Sequence, residues 1–306
     1  MSTEGARLTN VVAPRRGVPQ YLVELWHYRE LLAGLVRKQL KVKYKNSALG
    51  FVWSMLNPAM YLVIFWVVFE LVLKAGIPDF AIFLLSGLLV WNFFAVAVSE
   101  ATPVITGNAS LVNKVWFPRA VLPLASVGAA LVHFFLQAVV LVLALGGLRY
   151  DVDVEWLPLL IPTLAVLVLL AAGFGILMAA FNVYARDTQY LVELGLLAWF
   201  WLTPIVYQYK LVSDRLASGP LPGWLALANP VTPIVLVFQR AIYGNVGGAG
   251  TGGGRLAGVE SSGILPDASM LWYLRNVAVV GVAAAVLFVV ALRFFERVEG
   301  DFAEEL

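Results

Sequence analysis

The stretch Arg29 to Trp53, RELLAGLVRKQLKVKYKNSALGFVW, decides the fold. Apolar residues at Leu22, Leu25, Trp26, Leu32, Leu35 and Val36 fall at the spacing of one helical face. Arg29, Arg37, Lys38, Lys41, Lys43 and Lys45 surround that face. A basic amphipathic helix of this kind lies flat on a membrane, with its apolar side in the acyl boundary and its cations on anionic headgroups. Residues 21–48 are therefore read as one interfacial helix, with Arg37, Lys38, Lys41, Lys43 and Lys45 as its lipid-headgroup contacts. After Gly50 an apolar run begins that is long enough to cross a bilayer. The segment marks where cytoplasm, lipid surface and bilayer core meet.

Working outward, the rest of the chain is built from similar apolar runs. Hydrophobic residues make up 61% of it and charged residues only 13%, against about 25% charged in soluble domains. The fold class expected is an all-α integral membrane protein of six transmembrane helices, at about 51–73, 80–101, 120–147, 157–181, 189–207 and 270–292. At 1.5 Å per residue the first is about 34 Å long, enough for a hydrocarbon core of about 30 Å. Residues 102–119, TPVITGNASLVNKVWFPR, are too polar to span. In 208–269, apolar pieces too short to cross are broken by Pro220, Pro222, Pro230 and Pro233. They are expected to fold back as re-entrant helices before the last span. That region ends in GNVGGAGTGGGRLAG, which reads as a flexible loop. Residues 1–20 and 296–306 read as cytoplasmic tails, and 49–295 as one membrane domain. The first 20 residues lack the apolar core of a signal peptide, so the first span is expected to stay in the mature protein.

Orientation follows from Lys and Arg. Nine of the 21 precede Gly50, and Lys114, Arg119, Arg186, Arg293 and Arg297 fall on the same side if six spans put both termini in the cytoplasm. The expected location is the inner or plasma membrane.

Several functions are disfavoured. A net charge of +2 gives no nucleic-acid footprint. Without cysteine there is no disulfide and no thiolate chemistry. His27 and His133 are the only histidines, so no histidine cluster can hold a metal. The segment GGAGTGGGR is not followed by Gly-Lys-Ser/Thr, so it is not a phosphate loop. No cofactor is assigned to this chain, and any ATP and Mg²⁺ belong on a separate ATPase. Asp151 and Asp153 form Asp-Val-Asp, but on the expected outer side and without supporting ligands. A membrane enzyme acting on polyprenyl-linked sugars is therefore a remote alternative. His133 and Gln137, four apart in the third span, share a face and suit an interhelical hydrogen bond.

Five stretches together carry a family resemblance. They are Arg29-Glu30-Leu31-Leu32 with Lys41-Val-Lys-Tyr-Lys-Asn-Ser-Ala-Leu-Gly50 and Trp53; Asn113-Lys-Val-Trp-Phe-Pro-Arg119 with Leu122-Pro123-Leu124; Asn182-Val-Tyr-Ala-Arg-Asp187; Trp201-Leu-Thr-Pro-Ile-Val-Tyr207; and Asn229-Pro230 with Phe238-Gln-Arg240. In this order they resemble ABC-2 type permeases, and more narrowly the membrane subunits that export O antigens, teichoic acids and cell-wall galactans.

The resemblance implies a permease, not an enzyme, working as a homodimer with two ABC ATPase subunits. The cargo implied is a lipid-linked polysaccharide moving from the cytoplasm outward. An ABC-2 exporter of drugs or small lipids is the alternative, needing only a pocket or lateral cleft. The loop 102–119 would carry a coupling helix, with Asn108, Ser110, Leu111, Asn113, Lys114, Phe117 and Arg119 facing the ATPase. Arg186 and Asp187 would close the fourth span as a structural ion pair. Sugars present flat C–H faces that stack on aromatic rings. Trp91, Phe93, Phe94, Trp199, Phe200, Trp201 and Tyr207 are therefore candidates for the path, with interfacial anchoring as the competing role.

Overall fold

The computed structural model describes residues 17–43, 79–220, 222–244 and 264–306, with isolated positions between 45 and 68. Most of the expected first span at 51–73 lies outside the described residues, as does nearly all of the Gly-rich run. The described residues form helices and turns, with no strand among them. In chain order the α-helices are α1 (Val18–His27), α2 (Arg29–Lys43), α3 (Phe80–Ala101), α4 (Ala109–Lys114), α5 (Val121–Leu148), α6 (Leu160–Tyr184), α7 (Thr188–Leu202), α8 (Tyr209–Ala217), α9 (Val231–Ile242), α10 (Met270–Val298) and α11 (Phe302–Glu305).

Among the described residues, four stretches are long and apolar enough to cross a membrane: α3, α5, α10, and Val154–Tyr184, in which a 3₁₀ turn (Val154–Leu159) leads into α6. Each is at least about 33 Å long at 1.5 Å per residue. Helix α3 is apolar all round, and a helix of that kind belongs inside a protein. It is buried along most of its length and packs against α5, α6 and α9. Helices α6 and α10 also pack side by side. Gly173 permits it, since a Cβ there would lie 3.2 Å from the backbone nitrogen of Phe288. Small residues play this part between helices in lipid, where apolar area gives no drive to associate.

The amphipathic region differs from the single helix expected. It breaks at Tyr28, whose φ of −87° and ψ of 15° lie in the bridge region. Its N–H still reaches the carbonyls of Glu24 and Leu25. The apolar face splits accordingly. Leu25, Leu32 and Val36 pack into the protein and Leu35 is buried, while Leu22 and Trp26 are exposed.

The fifth expected span, 189–207, also needs correction. Helix α7 ends at Leu202, after 15 residues or about 22 Å. Thr203 precedes Pro204 and is extended, at φ −103° and ψ 130°, because the proline ring excludes the helical region for the residue before it. Asn229 secures the break. It accepts a hydrogen bond from Trp199 Nε1 at 2.8 Å and donates to Thr203 Oγ1 at 2.9 Å. Beyond it, α9 is 12 residues long and almost completely buried among α3, α6 and α10.

The chain directions put the two ends of the bundle to different use. At one end lie α1, α2, the 102–119 segment, the α6–α7 turn and the C-terminal tail. They share an apolar cluster that includes Tyr21, Leu35, Ile105, Val112, Phe117, Leu122, Phe295 and Phe302. At the other end Arg240 pairs with Asp153 at 3.0 Å and lies 4.2 Å from the Trp156 ring centroid. Tyr150 donates to the carbonyl of Tyr243 at 2.6 Å there. Asp153 of the Asp-Val-Asp motif is thus held in a structural ion pair.

Candidate functional site

Three regions bear on function: the groove under α2, the ridge at 109–116, and the aromatic residues of α3 and α7.

Helix α2 lies along α5 and is held there by polar contacts. Gly128 permits the approach, since a Cβ at this position would lie 2.9 Å from Val36 Cγ2. Gln39 Nε2 donates to Ser126 Oγ at 3.2 Å, and Lys38 Nζ donates to Asn108 Oδ1 at 3.3 Å. Lys43 Nζ pairs with Glu100 at 2.9 Å. Between α2 and the ends of α3 and α5 is an open cavity of about 480 Å³, lined in part by Lys38, Lys43, Glu100, Asn108 and His133. Of the five expected headgroup cations, Arg37, Lys41 and Lys45 are exposed, whereas Lys38 and Lys43 are engaged within the chain. The interhelical hydrogen bond expected of the 133/137 face runs from Asn92 Nδ2 of α3 to Gln137 Oε1 of α5, at 3.3 Å. Asn92 was not singled out from the sequence.

The 102–119 segment forms a 3₁₀ turn (Thr106–Asn108) followed by α4. Asn108 caps its own turn by donating to the carbonyl of Val104 at 2.8 Å. Ser110, Asn113 and Lys114 are exposed, and Leu111 is partly so. Two neighbours that sequence reasoning passed over complete the ridge: Val115 is 53% and Trp116 is 69% exposed. Phe117 and Arg119, expected on the partner-facing surface, turn inward instead. Phe117 belongs to the basal apolar cluster. The Arg119 guanidinium lies 5.9 Å from the Phe302 ring centroid, and burial pulls its pKa below the usual arginine value. Phe302 stands in a charged tail, which is why neither inward turn was legible.

Arg186 and Asp187 are exposed, and no ion pair joins them to each other. Side chains at i and i+1 do not face one another at a helix end. They sit in the turn between α6 and α7.

The seven aromatic candidates divide by burial. Trp91, Phe93 and Phe94 are interior to this chain, at 6%, 2% and 0% exposure, and cannot line a surface path. Edge-on contacts hold them, as between Phe94 and Trp199 at 5.2 Å and between Phe93 and Phe134 at 5.9 Å. Trp199 and Phe200 are half-buried against that core, while Trp201 is 60% exposed. Tyr207 donates to the carbonyl of Trp201 at 2.8 Å, which ties the segment after the break back to α7. Helix α7 touches the rest of the chain along Val192, Leu196, Trp199 and Phe200. Its remaining surface is open and largely apolar, including Tyr190, Leu191, Leu194, Leu197 and Trp201.

A bundle of long apolar helices, with a basic amphipathic helix and an exposed polar ridge at one end, is the architecture of a multi-pass membrane protein. More narrowly, the chain belongs to the ABC-2 type transporter family, which it matches over residues 30–243. Among its relatives, the O-antigen export system permease protein RfbA of Myxococcus xanthus is 32% identical over 284 residues, covering 92% of this chain and 98% of that protein. A Klebsiella pneumoniae protein of the same name is 30% identical over 220 residues, covering 71% and 82% respectively. The polysialic acid transport protein KpsM of Escherichia coli is 23% identical over 217 residues, covering 68% and 79%.

Proposed function

We propose that this chain is the permease subunit of an ATP-driven exporter that carries a lipid-linked polysaccharide, of O-antigen, teichoic-acid or galactan type, out of the cytoplasm. The observation that carries the reading is its end-to-end likeness to a permease named for O-antigen export, which leaves only about 2% of that relative unmatched. The related protein named for polysialic acid transport also points to a polymeric sugar cargo. In this reading six spans place both termini in the cytoplasm of the inner or plasma membrane. The segment 51–73 supplies the first span, and α7 with the residues after its break supplies the fifth. Helices α8 and α9 then form the re-entrant elements before the last.

Energy comes from a partner. ATP and Mg²⁺ reside on two ABC ATPase subunits, which dock on the ridge of Ser110, Asn113 and Lys114. Exposed Val115 and Trp116 add the apolar contact that such a docking site needs, since aromatic residues anchor interfaces while rim charges set orientation. A second copy of the chain covers the open face of α7, which brings Trp201 and Tyr207 to the wall between the two copies. The exposed cations Arg37, Lys41 and Lys45 of the 21–48 segment stand where the acidic linkage of a lipid-borne glycan would arrive from the inner leaflet. The test for the partner is a photo-crosslinking side chain at Ser110. Capture of an ATPase subunit is expected, and repeated failure to capture one removes the assignment.

A further inference from the structure

The C-terminal tail is joined to the base of the bundle by directional bonds. Glu299 follows the last residue of α10 and is only partly exposed. Its carboxylate accepts the Tyr21 hydroxyl of α1 at 3.0 Å, and the charge of Arg119 acts to hold its pKa down. Tyr21 also shares an apolar cluster with the buried Ala120. Ala120 is the N-cap residue of the 28-residue α5. Glu299 and Tyr21 therefore lie beside the start of a long helix, whose first N–H groups lack partners within the helix. Three residues further on, Phe302 is fully buried, edge-on to Phe295 at 5.3 Å and beneath the Arg119 guanidinium. The tail also packs against α4 and α6.

Residues near 21, 120 and 300 thus meet at one point. Apolar packing alone could hold a tail there, but an apolar contact tolerates sliding. A carboxylate that takes a hydroxyl from α1 and lies within the field of Arg119 does not, and burying it is costly unless those partners are in place. We propose that Glu299 and Tyr21 are positioning residues for transport. They clasp α1, the start of α5 and the end of α10 into one rigid body, so that displacement of the 109–116 ridge reaches the interfacial helix and the last long helix together. The proposal rests on the reading of that ridge as the ATPase contact.

The chain has no cysteine, so two introduced ones can be spin-labelled selectively. Val23 of α1 and Arg297 of α10 are exposed and suit this purpose. In the permease–ATPase complex, the Val23→Cys/Arg297→Cys label distance should be narrow and identical in nucleotide-free and ATP-trapped states. Tyr21→Phe or Glu299→Ala should broaden it and lower the glycan moved per ATP hydrolysed by roughly tenfold, the order expected for losing one or two hydrogen bonds. Glu299→Gln keeps an acceptor oxygen and should retain both properties. A distance that changes between nucleotide states in the otherwise unaltered chain would overturn the proposal. So would a Tyr21→Phe protein with an unchanged distance width and an unchanged transport ratio. If the Ser110 crosslinker captures no ATPase, the underlying reading has failed and the proposal falls with it. The label distance in the permease alone separates the two failures: it stays narrow if only the ridge reading is wrong, and is already broad if the clasp itself is.

Discussion

Single residues show where stability and transport part company. Burial pushes the Glu299 carboxyl up to about 7, against the opposing effects of the Tyr21 hydroxyl and of Arg119 with its backbone N–H; Glu24 of α1 adds to the upward push. The folded pKa lies above the unfolded one, so the stability tied to this carboxyl is complete below about 4.5 and is lost as pH rises through 7. The full excursion is worth at most about 3 kcal/mol. Thermal unfolding of the purified protein should therefore show a larger loss of Tm between pH 5.5 and 8 than the Glu299→Gln variant shows. Parallel slopes would mean that the carboxyl does not titrate there. The aromatic residues give a second contrast. Phe94→Ala should cost about 3–5 kcal/mol and reduce the yield of folded protein, as for a buried ring. Trp201→Ala, at an exposed position, should leave yield unchanged and reduce export, measured as surface glycan per molecule of permease. The sequence could not separate these two residues, because a helix apolar all round looks the same whether protein or lipid covers it.

At the scale of elements, the long apolar helices were legible because runs of more than 20 apolar residues leave few alternatives. Helix α3 occupies Phe80–Ala101, where hydropathy alone placed a span. The end of α7 was also written in the chain, at Thr203-Pro204, but apolar residues continue past it and conceal the stop. The break at Tyr28 left no such mark, because the amphipathic spacing runs through it. It divides the attachments: α1 is bound to the tail through Glu299, while α2 is bound to α5 and to the 102–119 segment. Neutralising Arg37, Lys41 and Lys45 together to Gln should cut glycan export severalfold while membrane insertion and basal ATP hydrolysis persist, since each cation near an anionic surface contributes about 1 kcal/mol. Normal export by that variant would reduce α2 to an anchor. Gly128→Leu should lift α2 from α5, because even a Cβ there would crowd Val36. Faster proteolysis within 29–43 than in the unaltered protein would report it.

For the whole molecule, the class of fold and the transport role could be read from composition and five short motifs, whereas the working surface could not. Motifs locate segments but not the direction in which each side chain turns. Phe117 and Arg119 face inward although they sit in the segment with the strongest resemblance, while Val115 and Trp116 between them and α4 carry the exposed surface. The tail reads as charged, yet it is fixed through Phe302 in the same apolar cluster as α1 and α2. These features describe a chain in which one end of the bundle is a connected assembly of amphipathic helices, the 102–119 segment and the tail, and in which one face of α7 is open and apolar. The central claim, export of a lipid-linked polysaccharide, is tested most directly by depleting this protein in its own cell and measuring the lipid-linked glycan on each side of the membrane. Accumulation inside with loss from the surface, both reversed by re-expression, is the result expected. Unchanged surface glycan with no internal accumulation would contradict it.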